Sequence, residues 1–180
     1  MEVSFSPEEI HTIQSLLKLN TLELRLNPEW GSQSPNYREI LYGELNQHLQ
    51  NISSSSISHT TTLGGFIFTN DPNVQVGFDI ELTERVTEEI ARRICRLPQE
   101  FEGAPFPAAL WTAKEAAYKA LRGPHQPPVI SEISVGDWDV FQSRFETFKF
   151  VRQEPRAKFL NCGVVMCKEI YTFSFFAFTT

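Results

Sequence analysis

Two short segments of this 180-residue chain hold residue types that can do chemistry. In Val74-Gln75-Val76-Gly77-Phe78-Asp79-Ile80-Glu81, Val74, Val76, Phe78 and Ile80 alternate with other residues, as in a strand. Period-two geometry then sets Asp79 and Glu81 together on the opposite face, toward solvent or a cleft. Hard carboxylate oxygens this close suit Mg²⁺, which takes few protein ligands and completes its shell with water and substrate phosphates. The plainer reading of an Asp-x-Glu is the wet face of a half-buried strand.

The second segment is Trp111-Thr112-Ala113-Lys114-Glu115-Ala116-Ala117-Tyr118-Lys119. Glu115 and Lys119 are spaced i, i+4 and share one helical face, with Trp111 one turn earlier. Alone, they read as a surface ion pair contributing roughly 0.2–0.5 kcal/mol, with Lys114 a solvated lysine.

Other elements must position these groups. Ser6-Pro7-Glu8-Glu9 carries a capping box before the helical repeat Ile10, Ile13, Leu17. Residues 20–34 read as irregular. A second helix follows Ser34-Pro35, with Tyr37, Leu41, Leu45 and His48 on one side. The Ser-rich stretch 51–56 reads as a loop, and 57–69 as strand broken at Gly64-Gly65. A helix is expected over 87–97, stopped by Pro98, then a loop from Phe101 to Phe106. The Ala-rich span 105–121 is the strongest helix, ended by Gly123-Pro124, with a Pro-rich loop over 124–128. Strands are expected near 145–151, 158–167 and 171–178, the last an aromatic core strand with a dimer interface as the lesser reading. This predicts an α+β fold, helices packed on a mainly antiparallel sheet.

Composition narrows the function. The chain is 41% hydrophobic with 15 Phe, enough for a real core. A net charge of −6 argues against general nucleic-acid binding. Cys95, Cys162 and Cys167 are odd in number and form no CxxC pair, which favours a reducing cytoplasm over a disulfide framework. No signal peptide or membrane-length apolar run is read.

The two chemical segments, in this order and separation, resemble the 4′-phosphopantetheinyl transferase family. Its signature is a G-x-D strand, usually followed by x-E, then an aromatic-x-x-K-E-x-x-x-K helix. Ile57-Ser58-His59 stands where the surfactin-type branch carries an I-S-H element. The resemblance is tight over 57–121 and faint before it. It implies a transferase-like α+β fold in one compact unit, with two pseudo-symmetric halves as one option. The expected division is 1–71, a shortened N-terminal half, and 72–180, a catalytic half.

The resemblance also implies a reaction: a serine hydroxyl of an apo carrier protein attacks the β-phosphate of coenzyme A, releasing 3′,5′-ADP. By position, Asp79, Glu81 and Glu115 would hold Mg²⁺ (or Mn²⁺), and Glu115 would take the serine proton. Lys119, Lys114, Ser58 and His59 would contact coenzyme A, Lys119 steadying the leaving group. Arg85, Arg92, Arg93 and Arg96 would dock an acidic carrier protein, the plainer reading being a solvated helix face. Expected partners are the carrier protein and coenzyme A, without nucleic acid or membrane. The carrier's identity and the oligomeric state stay open. Two other readings remain: an inactive coenzyme A or carrier-binding module, and a metal-dependent phosphoesterase, which is short of ligands with only His11, His48, His59 and His125 to add.

Overall fold

A computed structural model describes residues 3–48, 50, 52–122, 126–142, 144–150 and 161–179. The expectations that touch Asn51, Gly123, Pro124, His125 and 151–160 lie outside the described residues. The chain runs α1 (Pro7–Leu16), β1 (Glu23–Asn27), α2 (Tyr37–Asn46), β2 (Ser54–His59), β3 (Gly64–Thr69), β4 (Val74–Leu82), α3 (Glu88–Arg93), α4 (Pro98–Gly103), α5 (Pro107–Ala120), β5 (Val135–Phe141), β6 (Phe145–Phe150), β7 (Asn161–Lys168) and β8 (Tyr171–Thr179). The α+β expectation holds, with two sheets in place of one. Their orders are β1-β3-β2 and β4-β8-β7-β6-β5, and every pairing within them is antiparallel.

The capping box of α1 forms as read. Glu9 N–H donates to Ser6 Oγ at 3.1 Å, and Ser6 N–H donates to Glu9 Oε2 at 2.7 Å. Four elements differ from the sequence reading. β1 occupies part of the supposedly irregular 20–34: Glu23-Leu24-Arg25-Leu26-Asn27 does alternate, but it is only five residues long and runs straight into the Pro28 and Gly31 breaks. β2 takes up half of the Ser-rich stretch. Pro98 starts α4, at the first helical position, where its missing N–H costs nothing. Phe101 is therefore on a helix. β5 escapes notice because a register shift between Gly136 and Asp139 breaks its period.

β8 is sandwiched between two cores. Phe173, Phe175 and Ala177 join α1, β3 and β4 in one, with Ile13, Ile67 and Phe78. Phe176 and Phe178 face α5 and its alanines in the other. A third cluster, including Trp30, Leu41, Leu45 and Phe66, packs α2 on the first sheet.

α5 lies very close to β4. A Cβ built on Gly77 would sit 1.8 Å from the Ala116 carbonyl oxygen. Small residues on both surfaces bring the backbones together, and this brings Glu115 and Lys119 over the Asp79 face. Among the described residues, no helix is long and apolar enough to cross a membrane.

Candidate active site

The site forms where the two sheets meet. β4 and β2 are each the edge of their own sheet. Alternate N–H groups of β4 point away from β8 and need other acceptors. Serine hydroxyls of β2 supply them. Val76 N–H donates to Ser54 Oγ at 3.0 Å, Phe78 N–H to Ser56 Oγ at 3.0 Å, and Ile80 N–H to Ser58 Oγ at 3.2 Å. Both strands advance in the same direction along this ladder.

Asp79 sits beside the last rung and is only 6% exposed. The sequence expectation had it facing solvent or a cleft, but α5 and β2 cover it. Its Oδ1 accepts from Ser58 Oγ at 2.8 Å and from Lys119 Nζ at 2.7 Å. Lys119 Nζ also donates to the Phe78 carbonyl at 3.1 Å. The lysine therefore bridges strand backbone and strand acid.

Glu115 is half-buried on the same side of α5. Among the described residues it has no hydrogen bond or ion pair. Burial pushes its carboxyl above the ordinary range, and the negative charge of Asp79 and then Glu81 adds to this, against the opposing Lys119. Burial also raises Glu81, whose Oε1 accepts from Leu82 N–H at 3.0 Å and lies 3.5 Å from Arg85. Glu115 and Lys119 line a cleft of about 580 Å³ with Tyr42, Leu45, Ile57 and Arg122. Asp79 lies behind Lys119.

His59 stands on the rim of this region. Its Nε2 is 3.1 Å from the Tyr37 hydroxyl, which accepts from Arg38 Nε at 2.9 Å. Burial, then the positive charges of Arg38 and Lys119, hold the imidazole pKa down. Tyr37 and Arg38 open α2 and were missed. A Tyr-Arg pair at a helix start carries no chemical signature, and only its approach to His59 gives it one.

Other expected site residues separate from this group. Lys114 is fully buried, and its Nζ donates to Glu100 Oε2 at 2.6 Å. Glu100 Oε1 accepts from Ser134 Oγ at 3.0 Å and Leu97 N–H at 3.3 Å. The expected contact of Lys114 with coenzyme A is therefore corrected. Five residues along a helix rotate it about 140° from Lys119, and no surface is left for a ligand. Arg85 belongs to the turn after β4 and not to α3. Arg92 and Arg93 are exposed on α3 and pair with Glu88 and Glu89. The Arg92 guanidinium also stacks 4.0 Å over the Phe101 ring. Arg96 is exposed beyond the helix end.

The donor chemistry suits a hard divalent ion: Asp79, Glu81 and Glu115 offer carboxylate oxygens, and the charges of the first two act on the third. Among the described residues, however, no group of three His, Cys, Asp or Glu side chains is arranged to hold a metal by itself. Substrate oxygens would have to complete the shell, as is usual for Mg²⁺. His48 stacks on Phe68, with ring centroids 5.2 Å apart, and adds no ligand here.

A search among curated proteins finds no match to the chain. The model of the 4′-phosphopantetheinyl transferase superfamily does match, over residues 75–163. That span contains Asp79 and Glu81 on β4, Glu115 and Lys119 on α5, and the close approach between the two elements at Gly77. By that match the chain carries a domain of the 4′-phosphopantetheinyl transferase superfamily.

Proposed function

We propose that the chain is a holo-acyl-carrier-protein synthase type of transferase. It moves the phosphopantetheine arm of coenzyme A to a serine hydroxyl of an apo carrier protein, with Mg²⁺ as the ion and Mn²⁺ as a substitute. The observation that carries this reading is the contact of Asp79 with Lys119, which lines one cleft together with Glu115, a carboxyl without a hydrogen bond or ion pair among the described residues.

The transfer forms a bond from the serine oxygen to the β-phosphorus and breaks the bond from that phosphorus to the 3′,5′-ADP oxygen. The serine proton must leave. Glu115 is the group for this, because among the described residues its carboxyl has no hydrogen bond or ion pair and it lines the cleft beside Lys119. Lys119 supports the phosphate oxygens and the leaving group, exchanging its hold on Asp79 for the substrate. Asp79, Glu81 and Glu115 are the acids that would hold Mg²⁺, which when bound neutralises the diphosphate charge. His59 and Arg38 offer donors toward the nucleotide phosphates. Arg92, Arg93 and Arg96 offer exposed positive charge, with Arg85 nearby, for an acidic carrier surface. A cytoplasmic setting fits the three free cysteines.

The test is direct. The purified chain is mixed with coenzyme A, Mg²⁺ and an apo carrier protein, and the carrier is weighed by mass spectrometry. Gain of one phosphopantetheine arm is the expected result. Coenzyme A binding without transfer would point to a module that has lost its chemistry. Release of phosphate from simple esters would point to a phosphoesterase.

A further inference from the structure

We infer that Ser58 is a positioning residue for Asp79, and that its hydroxyl is not a phosphate ligand. The inference rests on the reading of Asp79 as a metal-binding acid, and it changes the role that the sequence resemblance implies for Ser58.

The argument starts from hydrogen-bond capacity. A serine hydroxyl has one hydrogen and two lone pairs. The Ser58 hydrogen goes to Asp79 Oδ1 at 2.8 Å, and one lone pair takes the Ile80 N–H at 3.2 Å. A phosphate oxygen is an acceptor and would need that same hydrogen. Ser58 is also only 5% exposed. Binding a phosphate through this hydroxyl would therefore strip Asp79 of a partner.

The ladder makes Ser58 distinct from its neighbours. Ser54, Ser56 and Ser58 all accept from β4 backbone N–H groups. Ser54 directs its hydrogen to Gln75 Oε1, at 3.3 Å. Only the Ser58 hydroxyl reaches an acid of the site. Two rungs thus hold the sheets together, and the third also fixes a carboxylate. Ser58 and Lys119 both act on Oδ1, which leaves Oδ2 without a hydrogen bond among the described residues. Without Ser58, Lys119 alone would set the carboxylate. Loss of such a supporting hydrogen bond typically lowers metal affinity 10–100-fold.

The experiment compares the full chain with S58A and S56A. Mn²⁺ is titrated calorimetrically with coenzyme A at saturation, coenzyme A is titrated in EDTA, and thermal melting is followed. Both variants lose one rung, so both should melt somewhat earlier. Only S58A should bind Mn²⁺ about tenfold or more weakly. Coenzyme A affinity in EDTA should stay unchanged in both. Wild-type Mn²⁺ affinity in S58A would overturn the inference. Equal weakening in S56A would do so too, because it would reduce Ser58 to scaffold. Loss of coenzyme A binding in EDTA by S58A would restore the phosphate-ligand role. S58C keeps the volume and little of the hydrogen-bond strength, and it answers the same question if S58A does not fold. Absence of Mn²⁺ binding by the unaltered chain would instead overturn the metal reading itself, and this inference with it.

Discussion

Lys114 and Lys119 leave the same helix on different sides, and each meets a carboxylate at nearly the same distance. Lys114 Nζ is 2.6 Å from Glu100, with the side chains 0% and 7% exposed. Lys119 Nζ is 2.7 Å from Asp79, with the side chains 26% and 8% exposed. The first pair is closed on both ends, and Ser134 and Leu97 satisfy the remaining oxygen of Glu100. It fastens α4 to α5 and has no other partner to turn to. The second pair is open at its lysine end, beside a cleft. Distance alone does not tell a fastening from a working contact. Access to water does.

The largest expected effect comes from breaking the closed pair. Lys114→Met leaves Glu100 buried without its cation, a loss of about 3–5 kcal/mol. In a chain of this length that lowers the melting temperature by roughly 6–20 °C. The double variant Lys114→Met with Glu100→Leu should recover most of it, since an apolar pair can replace a buried ionic one. A Lys114→Met protein that melts normally but loses coenzyme A affinity would erase the contrast between the two lysines.

Breaking the open pair should do the reverse. Asp79→Asn and Glu115→Ala are each expected to lower transfer at least about a hundredfold while melting close to the parent. Lys119→Met should lower transfer as much but also melt earlier, because it leaves the buried Asp79 without its cation. Full transfer by Asp79→Asn or Glu115→Ala would remove the site assignment. A smaller effect is expected on α3. Charge reversal at Arg92 and Arg96 should weaken carrier binding about tenfold and leave coenzyme A binding alone. Equal losses in both would count against docking there.

The smallest effect belongs to a third lysine pair, Lys168 with Glu9, at 2.6 Å and partly exposed. Burial alone would raise the Glu9 carboxyl, but the hydrogen bond from Lys168, helped by Ser6 and the Lys168 charge, holds it below its ordinary value. A depressed acid stabilises the fold above its unfolded pKa and loses that contribution as pH falls through the folded one. Glu9→Gln should therefore cost about 1 kcal/mol at pH 7 and progressively less below about pH 4. An equal cost at both ends, by melting, would show that charge plays no part.

Much of the site was legible. Alternation along β4 placed Asp79 and Glu81 on one face, and i, i+4 spacing placed Glu115 with Lys119. The helices α1 and α2 and the core strand β8 were legible from capping and apolar pattern. The fate of Lys114 was not. α5 is covered around most of its circumference, so an isolated lysine in it looks solvated until Glu100, in another helix, is seen. Ser54 and Ser56 fall in the stretch that reads as a loop, because serine is a weak strand former whose hydroxyl competes with backbone pairing, while Ser58 falls within the expected strand. In this fold that same competition makes the contact, and serine at every second position was the signal available. Arg38 had no signal of its own, because its place beside His59 arises only when α2 packs on the first sheet.

Position 77 is a spacer of zero thickness. Any side chain there would have to push Ala116 outward, and with it the neighbours of Ala116 at 115 and, one turn on, at 119. The gap between strand acid and helix base is thus metered by an absent atom. A saturation library at this codon should return glycine almost alone among active clones, even where alanine clones still fold.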